Sequence, residues 1–170
     1  MQWILDRKAE LGADVNLANS NGLSPLFLVC LKGYVGADTV ERARTDSVKA
    51  GRLEIAKMLV DHGANIDFRE TVGLTPLHWA AYNADAELCR FLLARGAVQI
   101  ESDAGSCPVD IAGFSGHYPV VKVFMEHTAK KIEHKYHMQG PGTSDKVDLD
   151  SAVKKPKFDE LEYLNKLEKA

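Results

Sequence analysis

GLTPLHWAAYNADAELCRFLLARGA, residues 73–97, is the stretch on which the fold turns. Thr75 stands where a helix begins, with a hydroxyl able to accept a hydrogen bond from an orphan amide of the first turn. Pro76 falls at the first helical position, where its missing N–H costs nothing. Leu77, Ala80 and Ala81 recur at i, i+3 and i+4, one apolar face of a helix, and the small alanines let a neighbouring helix come close. Asn83 to Ala86 interrupt the run. A second helix is predicted over Glu87 to Arg95, with Leu88, Leu92 and Leu93 inward. Gly96 tolerates the left-handed backbone that ends it.

Working outward, the same unit returns. Residues 63–81 read GANIDFRETVGLTPLHWAA and residues 12–30 read GADVNLANSNGLSPLFLVC, so Gly12, Gly22 and Pro25 reappear as Gly63, Gly73 and Pro76. A third, degenerate copy starts at Gly96 and runs through Gly105, Pro108 and Ala112, with Cys107 in place of Thr75 and Asp110 in place of His78. One helix pair cannot bury its own apolar face, whereas about three or more stacked copies can. Leu59 and Leu92 are expected in the shared core.

GLTPLHWAA followed by ELCRFLLARGA resembles the ankyrin repeat, whose hallmark reads G-x-T-P-L-H-x-A-A and later L-L-x-x-G-A. Ser24-Pro25-Leu26-Phe27 and LEIAKMLVDHGANID (53–67) carry the same likeness, which covers about residues 3–127. The resemblance implies an all-α ankyrin-repeat solenoid of about three helix-hairpin units, with an insertion and a C-terminal helical tail. The array is expected over 1–138: a half repeat 1–16, a repeat 17–66 carrying an insertion 34–51, a repeat 67–98 and a degenerate capping repeat 99–138. A linker 139–157 and an amphipathic tail helix 158–170 complete the chain.

The sequence departs from the repeat in three places. Gly33 and Gly51 both resemble the glycine that separates the two helices of one repeat, and the polar stretch between them, with Glu41, Arg42, Arg44 and Asp46, lengthens the spacing from 33 to 51 residues. Thr39 to Ala43 is able to form a short helix there, the segment being a solvated, partly helical loop or a partner-specific contact. At the start, Trp3-Ile4-Leu5 opens the array mid-repeat, as in a piece of a longer protein or one completed by a partner. Near the end, Val120, Val121, Phe124, Met125, Ala129, Ile132 and Tyr136 keep helical spacing and predict a helix from about Pro119 to His137. After the breaker Gly140-Pro141-Gly142, Phe158, Leu161, Leu164 and Leu167 form one stripe. A segment this short is marginal as a helix in water. It docks on a partner or on the array, or stays irregular.

Composition narrows the function. The chain is 45% hydrophobic and 26% charged with net charge −3, ordinary for a globular protein. No basic excess points to nucleic acid, and no apolar run is long enough to span a membrane. Three cysteines, Cys30, Cys89 and Cys107, without C-x-x-C spacing read as free, mostly buried thiols of a reducing compartment. The cytoplasm is expected, or an organelle interior if a targeting segment has been removed. His127, His134 and His137 share one side of the long helix, but apart from Glu126 or Glu133 no Cys or carboxylate of suitable spacing completes a metal set, and they read as solvent-facing. Ser24 and Thr75 precede prolines at helix starts, so capping explains them. Gly33 to Gly36 is not followed by Lys-Ser/Thr, and no carboxylate pair stands in an apolar setting. His78 is expected to tie adjacent loops. Neither enzyme activity, cofactor nor metal is expected.

Surface remains. The resemblance implies that loop tips and first helices form a concave protein-binding face. Carried over by position, its residues are Leu31, Lys32, Arg69, Thr71, Tyr82, Asn83, Asp103, Phe114 and Ser115, with Leu31, Tyr82 and Phe114 as a row of one per repeat. Phe158, Leu161 and Leu164 of the tail join them as partner contacts. The expected function is a non-catalytic protein–protein interaction scaffold. The alternative is an accessory structural subunit of a large multiprotein assembly, contacting neighbours through its insertion, open N-terminal end and tail. Either way the partners are other proteins.

Overall fold

The computed structural model describes residues 14–31 and 46–139, without the side chains of 46–48 and 132–139. The expectations for Trp3 to Leu5, Lys32, the Thr39 to Ala43 helix, the 158–170 tail with Phe158, Leu161 and Leu164, and the linker beyond Gln139 lie outside the described residues. Among the described residues the secondary structure is six helices: α1 (Pro25–Cys30), α2 (Asp46–Asp61), α3 (Pro76–Tyr82), α4 (Ala86–Ala94), α5 (Pro108–Phe114) and α6 (Tyr118–Gln139). They pair as hairpins α1–α2, α3–α4 and α5–α6. The short helices α1, α3 and α5 stack as one row, and α2, α4 and α6 as a second.

Local bonds explain the helix starts. Phe27 N–H donates to the Ser24 hydroxyl at 3.2 Å and opens α1. Thr75 N–H donates to His78 Nδ1 at 3.0 Å at the start of α3. In the degenerate third copy, Cys107 N–H donates to Asp110 Oδ2 at 2.8 Å. A carboxylate thus does for α5 what an imidazole does for α3, and the geometry survives the change of residue. The turns leading into these helices are alike as well. Asn19, Glu70 and Ser102 donate their N–H to the carbonyls of Leu23, Leu74 and Ser106 at 3.0, 3.1 and 2.9 Å. Each turn holds a glycine at positive φ; at Gly73 (φ 78°) a Cβ would also run into Asp103 Oδ1 and Arg69 Nη2.

Gly51 requires a correction. The sequence reading made it the break between two helices and assigned 34–51 to an insertion. The structure places it inside α2, a 16-residue helix whose first six residues, 46–51, come from that segment. A single interior glycine costs a helix only about 0.5–1 kcal/mol relative to alanine. Helix formers on both sides and the packing of α2 on α1 and α4 outweigh that. The corresponding position one repeat on, Ala84, does lie between helices, and there the backbone is left-handed (φ 56°) on a residue with a Cβ. Left-handed backbone costs an L-residue about 1–2 kcal/mol, partly offset in glycine by its larger unfolded-state entropy. Ala84→Gly is therefore expected to raise the unfolding free energy by up to ~1 kcal/mol. A urea midpoint at or below that of the parent chain would contradict this.

The core runs continuously through the stack: Leu26, Phe27 and Cys30 of α1, Leu77 and Trp79–Ala81 of α3, Leu88 and Leu92 of α4, Ile111 and Ala112 of α5, and Val120 and Phe124 of α6. Leu59 and Leu92 are buried as expected. Polar ties register one repeat on the next. Asn16 Oδ1 accepts from Asn65 N–H at 2.6 Å, and Asp67 Oδ1 accepts from Val98 N–H at 3.0 Å. Helix α6 extends over Tyr118–Gln139, one to two residues longer at each end than the spacing predicts.

Candidate functional site

The last residues of α1, α3 and α5 and the turns before α3 and α5 carry the sequence-derived candidates. Leu31, Tyr82 and Phe114 stand six residues after Pro25, Pro76 and Pro108 at the ends of three stacked helices, Leu31 just beyond α1 and the other two as the last residues of α3 and α5. Their surroundings differ. Phe114 is 53% exposed, while Leu31 and Tyr82 are partly buried against the core. Tyr82 meets Trp79 edge-on, with ring centroids 5.6 Å apart at 81°, and Trp79 meets Phe27 in the same manner at 6.2 Å. Tyr82 is thus half surface and half support for a buried indole.

Asn83 is tied down too. Its amide donates to the Cys30 carbonyl at 2.8 Å, satisfying an orphan group at the end of α1. His117 Nε2 donates to the Tyr82 carbonyl at 2.9 Å and does the same for α3. Ser115 is half-buried, and its backbone N–H closes α5 onto Ile111. At the turns, Arg69 Nη2 lies 2.9 Å from Asp103 Oδ1, and the Thr71 hydroxyl donates to Glu70 Oε2 at 2.9 Å. Asp103 N–H also reaches the Val72 carbonyl at 3.2 Å, so Arg69, Thr71 and Asp103 share one edge. The Arg69–Asp103 pair is solvent-exposed and adds only about 0–1 kcal/mol; it holds two side chains in place more than it stabilises the fold.

Tyr118 escaped the sequence reading, which began the last helix one residue later. It is 77% exposed and, with Phe114, flanks the turn at residues 115–117. Two aromatics four residues apart around a Ser-Gly-His turn were the available signal.

Among the described residues, the buried histidine and two of the cysteines are held in inert settings. His78 Nδ1 accepts from Thr75 N–H, with the Thr75 hydroxyl 2.9 Å away, so the ring proton sits on Nε2 and is donated to the Ser106 carbonyl at 3.1 Å. Burial lowers the imidazole pKa to about 4, against a smaller upward pull from the Ser106 bond. Cys30 and Cys89 are fully enclosed, and burial pushes both thiols up, away from the nucleophilic thiolate. Arg52 Nη2 and Asp85 Oδ2 form a buried ion pair at 3.1 Å, and Asp85 Oδ1 accepts from Leu88 N–H at 3.2 Å to cap α4. Among the described residues no group of three His, Cys, Asp or Glu side chains is placed to hold a metal, and no helix is long and apolar enough to cross a membrane.

Comparison with known proteins agrees with this geometry. A family model described as ankyrin repeats (3 copies) matches residues 45–135, more than half of the chain. The chain is similar to palmitoyltransferase ZDHHC13 of Mus musculus, 35% identical over 94 residues, which are 52% of this chain and 15% of that protein. It is similar to protein phosphatase 1 regulatory subunit 27 of Mus musculus, 35% identical over 82 residues, 45% of this chain and 53% of the relative. Protein fem-1 homolog A-like of Mus musculus is 28% identical over 114 residues, 67% of this chain and 15% of its own length. The chain therefore spans between 15% and 53% of these three relatives.

Proposed function

The chain belongs to the ankyrin-repeat family, and from that premise we propose that it is a non-catalytic scaffold which binds a protein partner through the face carrying Phe114. Proteins of this family characteristically mediate protein–protein interaction. One relative is by name a regulatory subunit of a phosphatase, and regulation by binding is the mode proposed here. The observation that carries the reading is an exposed aromatic on a rigid support. Phe114 stands 53% exposed at the end of α5, while side-chain hydrogen bonds pin the helix ends and turns around it repeat to repeat. A preformed face limits the ordering entropy lost on association, and aromatic anchors commonly dominate interface energy. Arg69, Thr71 and Asp103 supply a polar rim to the same face.

Phe114→Ala is the test. Tyr82→Ala would confound it by removing support from Trp79. Purified wild-type and variant chains serve as baits in native extract, and each recovered protein is quantified by mass spectrometry. Loss of one specific partner by about tenfold or more is expected, in line with ~2 kcal/mol for an interface anchor. The melting curve should move little, since exposed substitutions stay within about 0.5 kcal/mol. Equal recovery of every captured protein by the two baits would remove Phe114 from the binding face.

A further inference from the structure

The internal repeat gives a direct measure of the far end of the stack. Cys89 N–H donates to the Asp85 carbonyl at 2.9 Å, as Val121 N–H does to His117 at 3.1 Å. Asp85 N–H donates to Ala80 at 3.0 Å, as His117 N–H does to Ala112 at 2.8 Å. The third unit therefore follows the second residue by residue, and Leu77, Ala81 and Leu93 correspond to Val109, Gly113 and Met125. The first three are buried inside the stack, Leu93 with 4% exposure. Of their successors, Val109 and Gly113 are half-buried and Met125 is 49% exposed. Val109, like Val121, keeps one side against the core, so Met125 is the apolar group that stands clear.

Terminal repeats are ordinarily polar on their outer side. Here no charged residue has replaced the three apolar positions, and among the described residues no hairpin lies beyond α5 and α6. The charges beside Met125 specify what fits there. Lys122 and Glu126 are both exposed on α6, one turn apart and of opposite sign, and at 3.9 Å they engage each other only loosely. A partner surface of one sign would satisfy one of them and oppose the other. A second copy satisfies both. A two-fold axis crossing α6 between the two residues sets Lys122 against Glu126 of the second copy twice over, with the two Met125 side chains meeting beside the axis. Such an isologous contact uses a single surface and closes on itself. The thioether, unbranched and adaptable, suits a contact with its own copy. Like charges stay apart. Lys130 and Lys131 lie six and seven residues from that axis, so the two lysine pairs are separated by about 18 Å or more along the helices, beyond the screening length of about 8 Å at physiological salt.

We infer that two copies of this chain associate end to end through α6, the helices crossing antiparallel with Met125 against Met125 and Lys122 against Glu126 of the second copy. The contact covers the apolar end that the third unit leaves open, and the dimer presents the face carrying Phe114 twice, which raises avidity for any partner that is itself paired. Phe114 is not among the contact residues, so self-association and partner capture are read from different variants and either proposal stands or falls without the other.

Sedimentation velocity on the full chain, from micromolar to millimolar concentration, tests this. The parent chain should show a reversible monomer–dimer equilibrium. Met125→Lys sets two like charges beside the axis and should weaken dimerisation about tenfold or more, while the melting curve of the dilute chain stays in place because the side chain is exposed in the monomer. Lys122→Glu opposes two carboxylates and should weaken the dimer as well, and Lys122→Glu/Glu126→Lys should restore it. A parent chain that stays monomeric throughout overturns the inference, as does a Met125→Lys chain that dimerises like the parent or a double swap that restores nothing. Mass that grows past the dimer with concentration assigns the end to a head-to-tail series and overturns it too.

Discussion

Asp85→Ala will lower the unfolding free energy by about 3–5 kcal/mol, the cost of breaking a buried ion pair from one side. Asp85 and Arg52 expose only 2% and 6% of their side chains, with Oδ2 and Nη2 3.1 Å apart. Arg52 belongs to α2 and Asp85 precedes α4, so the pair joins consecutive outer helices of the stack. Removing the carboxylate takes this counter-charge from a guanidinium whose side chain is only 6% exposed. It also strips Leu88 N–H of its acceptor at the start of α4, by itself worth about 1 kcal/mol. Arg52→Met/Asp85→Asn is expected to recover most of the loss. Asparagine keeps the cap, and a buried pair contributes little net stability once its desolvation is counted. Urea unfolding followed by circular dichroism reads both variants. A loss below about 1 kcal/mol for Asp85→Ala would mean that Arg52 does not depend on this carboxylate.

Acid will weaken the fold through His78. Its folded pKa is about 4, against an ordinary 6.5, because burial disfavours the charged ring. Nδ1 already accepts from Thr75 N–H, so a proton there would set two donors against each other. Between these two values the unfolded chain takes up a proton and the folded chain does not. Stability from this group is therefore complete above pH 6.5 and lost as pH falls toward 4. The loss amounts to roughly 2 kcal/mol by pH 5 and about 3 kcal/mol in full. The measurement is a pH series of urea unfolding on the parent chain and His78→Gln, which cannot titrate there. The parent should show the steeper decline between pH 6.5 and 4.5. Parallel profiles for the two proteins would rule out His78 as the source.

Much of this molecule is legible in the string of residues. Ser24-Pro25, Thr75-Pro76 and Cys107-Pro108 mark the starts of α1, α3 and α5, and Gly22, Gly73 and Gly105 mark the turns before them. The spacing of Val120, Phe124 and their successors reveals α6 to within two residues at either end. These features depend on partners three or four positions away, or on the backbone freedom of one residue, and the sequence contains both. The helical repeat likewise announces a stack, because no single hairpin can bury its own apolar side.

The candidate face was less legible. Tyr82 and Asn83 sit where a binding face was expected, yet one supports Trp79 and the other is bonded to a carbonyl 53 residues earlier. Gly51 reads as a break and lies within α2, and the Arg52–Asp85 pair has no signature in either neighbourhood. Each of these was decided by which side of one repeat meets the next, and that register is set by packing between hairpins distant in sequence. Local spacing determines where helices begin and end; only the stacked structure determines which of their polar and aromatic groups hold neighbouring repeats together and which remain at the surface for another molecule.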